Sequence, residues 1–227
     1  MPGGDGAGGT GPRVSQRVPG VRRVPRQARS LARVDRLLAA AELIIVRDGV
    51  RALTTHRLAA DAGVPIGTVY QFFADKQGVV DALARSYIDG SEAIMARLRA
   101  DGAGGHWSDL VDTLIDAFVE RYRGTPAYRL LWLGRHLGPE LQRENEESNA
   151  AMAVMLAELI AANEGLGEGA AADPGLLRSC RVGIHVGEAV LRLAFTTDPT
   201  GDPAIIDEAK HLERVYLDDV VRRAGQR

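Results

Sequence analysis

Apolar residues recur every three or four positions in one segment of the chain after another, and nowhere alternate as they would along a half-buried strand. The first stripe is Leu31, Val34, Leu37, Leu38, Ala41, Ile44 and Ile45, which predicts an amphipathic helix over about 30–48, with Gly49 as its left-handed stop. After Leu53, either Thr54 or Thr55 caps a short helix reaching 62, with Leu58, Ala59 and Ala62 turned inward. Gly63 permits a positive φ and hence a sharp turn. A third helix starts near Pro65, where a missing amide is harmless in the first turn, and Asp75 caps a fourth that runs to about 100.

The same period continues to the end of the chain. The stretch DGAGGHWSD reads as a loop, and a fifth helix over about 108–123 stops at Gly124. Thr125 and Pro126 open a sixth, broken near Gly138 and Pro139, where a seventh begins and extends to about 162. NEGLGEGAAADPG is a connector, followed by two final helices over about 173–196 and 202–224. The predicted fold is all-α: a Gly- and Pro-rich basic tail over 1–25, a three-helix head over 26–75 and a larger helical body over 76–227.

On the third helix Val69 and Phe73 lie four apart and face the core, so Gly67, Thr68, Gln71 and the ring edge of Tyr70 look outward. Two short helices joined by a tight glycine turn are the outline of a helix-turn-helix, whose outward face meets the DNA major groove. Gln71 can pair with adenine, the Thr68 methyl can meet a thymine methyl, and Gly67 lets the backbone come close. Thr54, Thr55, Tyr70 and Lys76 suit phosphate contacts, which set register without reading bases.

Charge adds a division that the net value of −2 hides. Residues 1–80 carry twelve Arg and Lys against six Asp and Glu, and the remainder sixteen against twenty-four. A basic front and an acidic rear fit a nucleic-acid reader joined to a domain that does not touch phosphates. Arg26 and Arg29, at the end of the tail, are candidates to track phosphates or enter the minor groove.

The block over 29–83 resembles the amino-terminal domain of the TetR family of bacterial transcriptional regulators. The resemblance rests on an apolar first helix, Gly49, Thr54 or Thr55, Leu58-Ala59, Ala62-Gly63-Val64, Gly67-Thr68, Tyr70, Phe73 and Lys76. It implies that the segment from Pro65 to Phe72, with Ile66 in its first turn, is the recognition helix, and that Lys76 makes a phosphate contact. It also implies a homodimer on a palindromic operator and a helical body. Phe72 departs from the pattern, since many relatives carry a polar aromatic or His there, so a phosphate hydrogen bond from that position is not available.

For the body, the expected dimer surface is Gly183, Val186, Gly187 and Val190 on one helix with Ile206, Ala209, Leu212 and Tyr216 on the other, the two glycines allowing close backbone approach. An effector pocket is expected among Phe118, Tyr122, Tyr128, Trp132, Met152 and Met155, with His136, His185 and Glu188 as polar groups. His185 and Glu188, three apart, are expected to hydrogen-bond to each other rather than hold a metal. Cys180 stands alone, so neither an internal disulfide nor a thiolate metal cluster is expected.

No Gly-rich phosphate loop, paired metal ligands or Ser, His and Asp set appears in a known context, so neither catalysis nor a cofactor is expected. The chain also lacks a signal-peptide pattern and an apolar run long enough to cross a membrane, so the cytoplasm is the expected location. The expected function is a homodimeric repressor released from a palindromic double-stranded DNA operator by a small, mostly apolar molecule. The alternative is a DNA-binding adaptor or activator without small-molecule control.

Overall fold

The computed structural model describes residues 28–101, 106–167 and 169–225. Its helices are α1 (Ala28–Asp48), α2 (Thr55–Asp61), α3 (Ile66–Phe72), α4 (Lys76–Asp101), α5 (Trp107–Gly124), α6 (Pro126–Leu133), α7 (Pro139–Asn163), α8 (Pro174–Thr197) and α9 (Pro203–Ala224). Single turns of 3-10 helix occupy Val50–Ala52 and Ala170–Ala172. The described residues are all-helical, as the apolar period predicts.

Proline marks four of these starts, at Pro126, Pro139, Pro174 and Pro203. Each stands where the absent amide would have had no helical partner. Asp173 and Asp202 cap α8 and α9, accepting from the Leu176 amide at 2.9 Å and the Ala204 amide at 2.9 Å. Thr125 was expected to cap α6, but its side chain accepts no bond there. His106 takes that role for α5 instead, its Nδ1 accepting from the Ser108 amide at 3.2 Å.

The chain forms two compact units whose boundary lies between Tyr87 and Ile88, inside α4. The expected boundary at 75/76 is therefore too early. The first turns of α4 bury Val79, Val80, Ala82, Leu83 and Ala84, and the Tyr87 phenol donates to Glu42 of α1 at 2.9 Å, so this part of α4 belongs with the head. Within the first unit, Val34, Leu37, Leu38, Ala41, Ile44 and Ile45 of α1 are fully buried. With Leu53, Leu58, Val69, Phe73 and Leu83 they form the apolar core of this small unit, at about 1.5–3 kcal/mol for each large side chain.

In the second unit α8 packs along both α7 and α9. Leu98, Leu110, Leu114, Met152, Met155 and Leu159 form a core cluster there. Met155, expected at the pocket, packs in this cluster and is not among the residues that line the cavity. Two ion pairs tie α9 to α5, Lys210 to Asp116 at 2.6 Å and Arg214 to Asp112 at 2.9 Å.

Candidate nucleic-acid interface and interior cavity

Thr54, not Thr55, caps α2: its hydroxyl accepts from the Arg57 amide at 3.1 Å. Gly63 then turns the chain at φ +64°, a conformation that a β-carbon disfavours. Arg57 braces the entry to the turn, pairing with Asp48 at the end of α1 and reaching Asp61 at 3.9 Å. On α3, Val69 and Phe73 are completely buried. With these two anchors fixed, Gly67, Tyr70 and Gln71 are exposed and Thr68 and Ile66 half-exposed.

Because Thr54 is the cap, the Thr55 hydroxyl is free to meet Tyr70, whose phenol lies 3.2 Å from it. Pro65 is exposed at the start of α3, and Lys76 opens α4 with its Nζ 3.4 Å from the Arg51 carbonyl oxygen. Phe72 is a correction. Included in the expected reading helix, it is only 5% exposed and packs inward beside Phe73, so it supports α3 from behind. Arg26 and the tail over 1–25 lie outside the described residues, as does the Arg29 side chain.

The second unit encloses a narrow cavity among α5, α6, α7, α8 and α9, touched also by Ser91 of α4. Its volume is about 70 Å³. Of the residues expected at a pocket, Phe118, Tyr122, Tyr128, Trp132, Met152 and Glu188 line it. Tyr122 stacks on Phe195 with centroids 4.8 Å apart, and Tyr128 lies against Trp132 at 4.3 Å. Burial pushes the Tyr128 phenol up to about 12 and Tyr122 higher still, so both are neutral donors and acceptors near pH 7.

His136 and His185 do not reach this cavity. His136 folds back against Gly134. The expected bond from His185 to Glu188 does not form: His185 lies 3.4 Å from Glu146 of α7, whereas Glu188 accepts from Asn149 at 3.3 Å. On a helix the two side chains are three apart, but α7 offers each a separate partner.

The expected dimer surface also needs correction. Ile206 and Ala209 are buried within the single chain, as is Gly183. A β-carbon on Gly183 would stand 2.8 Å from Glu213 Oε2, and one on Gly187 3.6 Å from Oε1. Gly183 therefore makes room for a buried carboxyl of α9, while a β-carbon on Gly187 would meet it only at ordinary contact distance. The outward face holds Val182, Val186, Leu212, Val215 and Tyr216, which line a shallow groove between α8 and α9.

Glu213 is the residue that the sequence reading missed. It is 4% exposed, lines the cavity, and its Oε1 has no hydrogen-bond partner. Burial pushes its carboxyl up to about 7, against a weaker opposing pull from the Gly187 amide. The signal was present in the buried stripe of α9, Ile206, Ala209, Leu217 and Val220, in which position 213 takes an inward place and holds an acid.

Two family descriptions match the chain: "Bacterial regulatory proteins, tetR family" over residues 37–83 and "Tetracyclin repressor-like, C-terminal domain" over 105–221. A TetR-family transcriptional regulator from Streptomyces coelicolor is similar at 33% identity and a TM-score of 0.64, covering 84% of this chain and 98% of that one. The fatty acid degradation regulator FadR from Bacillus halodurans shares the fold at 17% identity and a TM-score of 0.58, covering 80% of this chain and 94% of that one. An uncharacterized HTH-type transcriptional regulator, YvkB of Bacillus subtilis (strain 168), is 35% identical over 66 residues, which are 29% of this chain. That matched segment spans only 35% of the length of YvkB.

Proposed function

The chain belongs to the TetR family of bacterial DNA-binding transcriptional regulators, a family without enzymatic activity, and from that premise we propose that it is a homodimeric, cytoplasmic repressor whose palindromic operator is released when a small, mostly apolar molecule enters the cavity of the second unit. The observation that carries this reading is the division of α3 into buried anchors and an outward face of Gly67, Thr68, Tyr70 and Gln71. Gln71 and Thr68 suit base edges, while Tyr70, Thr54, Thr55 and Lys76 suit phosphates.

A palindromic site needs two such faces about 34–36 Å apart. The exposed apolar strip on α8 and α9, with Val182, Leu193, Leu212 and Val215 all at least 39% exposed, suits a four-helix interface with a second copy. The same strip would be a liability on a monomer. Among the described residues no helix is long and apolar enough to cross a membrane, so that strip is not part of a spanning segment.

Effector control is linkage between two sites. Ser91 of α4 lines the cavity and accepts from Arg121 at 2.7 Å, while Lys76 begins the same helix. A molecule that shifts α4 at Ser91 biases the placement of the phosphate contact at Lys76. A hundredfold loss of operator affinity requires about 2.7 kcal/mol of differential binding, within reach of a few contacts made in one state only.

The experiment is selection of bound fragments from a random duplex pool, followed by titration of the winner against full-length protein. An enriched inverted repeat, bound by a dimer, is expected. Enrichment of no sequence, or of a single half-site bound by a monomer, would overturn the reading.

A further inference from the structure

The cavity carries an acidic feature that an ordinary apolar pocket lacks. Glu213 lines it from α9; the residue is only 4% exposed, and its Oε1, buried against α8, has no hydrogen-bond partner. The absent β-carbon of Gly183 on α8 leaves the niche in which this carboxyl sits, with Gly187 beside it. Leaving a carboxyl oxygen desolvated and unpaired is unfavourable. A ligand that supplies the missing donor recovers that loss on binding.

The rest of the lining narrows the donor to a cation. Glu188 is a second acid on the wall, and no Arg or Lys is among the described residues that line the cavity. Two guanidiniums stand near the lining without being part of it: Arg121 donates to Ser91 at 2.7 Å and lies 4.4 Å from the Tyr128 centroid, and Arg192 lines the neighbouring cleft beside Glu188. Glu188 is already served by Asn149 at 3.3 Å, so Glu213 is the acid with unused capacity. Phe118, Tyr122, Tyr128 and Trp132 present aromatic surface to the same space, which attracts cations as well as apolar rings.

We propose that the effector is a small aromatic amine, whose protonated nitrogen donates to the Glu213 carboxyl while its ring lies among Phe118, Tyr122 and Trp132. This inference rests on the effector reading given above and names the chemical class that the cavity takes. The carboxyl, held near neutrality by burial, is drawn fully into its ionised form by such a partner.

Three molecules of nearly the same shape test it on the full-length wild-type protein by calorimetry at about pH 7.5: 1-naphthylmethylamine, 1-ethylnaphthalene and 1-naphthylacetate. The amine is expected to bind at least about tenfold more tightly than the hydrocarbon, as a charge-assisted bond in a dry site implies, and the acetate most weakly. In Glu213→Gln, the preference for the amine is expected to vanish while 1-ethylnaphthalene binds within about threefold of wild type. Equal binding of amine and hydrocarbon, or a preference that survives Glu213→Gln, overturns the assignment and leaves the effector cavity standing. Saturable binding of none of the three overturns both the assignment and the effector reading. The wild-type comparison decides without any variant, so a folding defect in Glu213→Gln does not block the test.

Discussion

The Tyr70 phenol and the Thr55 hydroxyl share a hydrogen bond of 3.2 Å across the turn between α2 and α3. It links the first residue of one short helix to the exposed face of the next, and so fixes where the phenol points. If Tyr70 holds a phosphate, Tyr70→Phe keeps the ring and removes only the donor. Operator affinity should fall about fivefold to tenfold, in line with a single phosphate hydrogen bond. Tyr70→Ala combined with Lys76→Ala should abolish measurable binding while helicity and dimer mass stay as in wild type. Lys76→Ala alone should reduce the slope of log affinity against log salt by about one, the signature of one lost phosphate contact. Retained affinity in the double variant, measured by anisotropy on the selected operator, would remove these residues from the interface.

Phe73 should matter for a different reason. It is fully buried at the end of α3, and its amide closes that helix on the Val69 carbonyl at 2.9 Å. Phe73→Ala should destabilise the first unit by about 3–5 kcal/mol, the range for emptying a packed aromatic site. Operator binding should be lost through unfolding of the head, with the tryptophan emission unchanged, because Trp107 and Trp132 both lie in the second unit. Hydrogen exchange that left α1 to α3 as protected as in wild type would contradict this account.

What the sequence made legible follows from where local rules decide the outcome. Gly63 with a positive φ and the proline starts of α6 and α7 at Pro126 and Pro139 are set by chemistry within a few residues. Val69 and Phe73 follow from helical spacing alone. The period could not say that Phe72 also turns inward, because two adjacent rings satisfy one apolar stripe equally well. It likewise could not decide between the inner and outer faces of α8 and α9, since both are apolar. Ile206 and Ala209 face the interior while Leu212 and Val215 face out. Glu213 was concealed by its neighbours Lys210 and Arg214, which make that stretch look like an ordinary charged surface. Only the packing of α9 on α8, through the missing side chain at Gly183, gives it an inward place.

The outward strip yields a prediction about assembly. Val182 is 42% and Val215 58% exposed in the single chain, and both border the groove between α8 and α9. Val182→Glu with Val215→Glu places two carboxylates where a partner surface would have to desolvate them, a penalty of several kcal/mol per buried charge. Sedimentation should show monomers, and operator affinity should drop by more than about a hundredfold, since two half-sites are no longer held by one particle. A variant that remains dimeric would place the interface elsewhere.

Stability should depend on pH through Glu213. Burial raises its carboxyl from 4.5 to about 7 in the folded protein, while in the unfolded chain it ionises near its ordinary value. Between these values the unfolded chain has released a proton that the folded chain still holds, so ionisation favours unfolding. The stabilising contribution of this group is therefore fully present below about pH 4.5, declines as pH rises and is lost above about pH 7. Three buried groups of the same unit do not titrate in that window: Cys180 is pushed up to about 12 by burial, with the Glu213 charge adding to the effect, and the Tyr122 and Tyr128 phenols lie as high or higher. Glu213→Gln keeps the shape of the protonated acid and cannot ionise. Its second unit, followed by tryptophan emission in denaturant, should match wild type at about pH 4.5 and exceed it by up to about 3 kcal/mol at about pH 8. A difference between variant and wild type that stayed the same at both pH values would mean that Glu213 ionises as freely in the folded protein as in the unfolded chain.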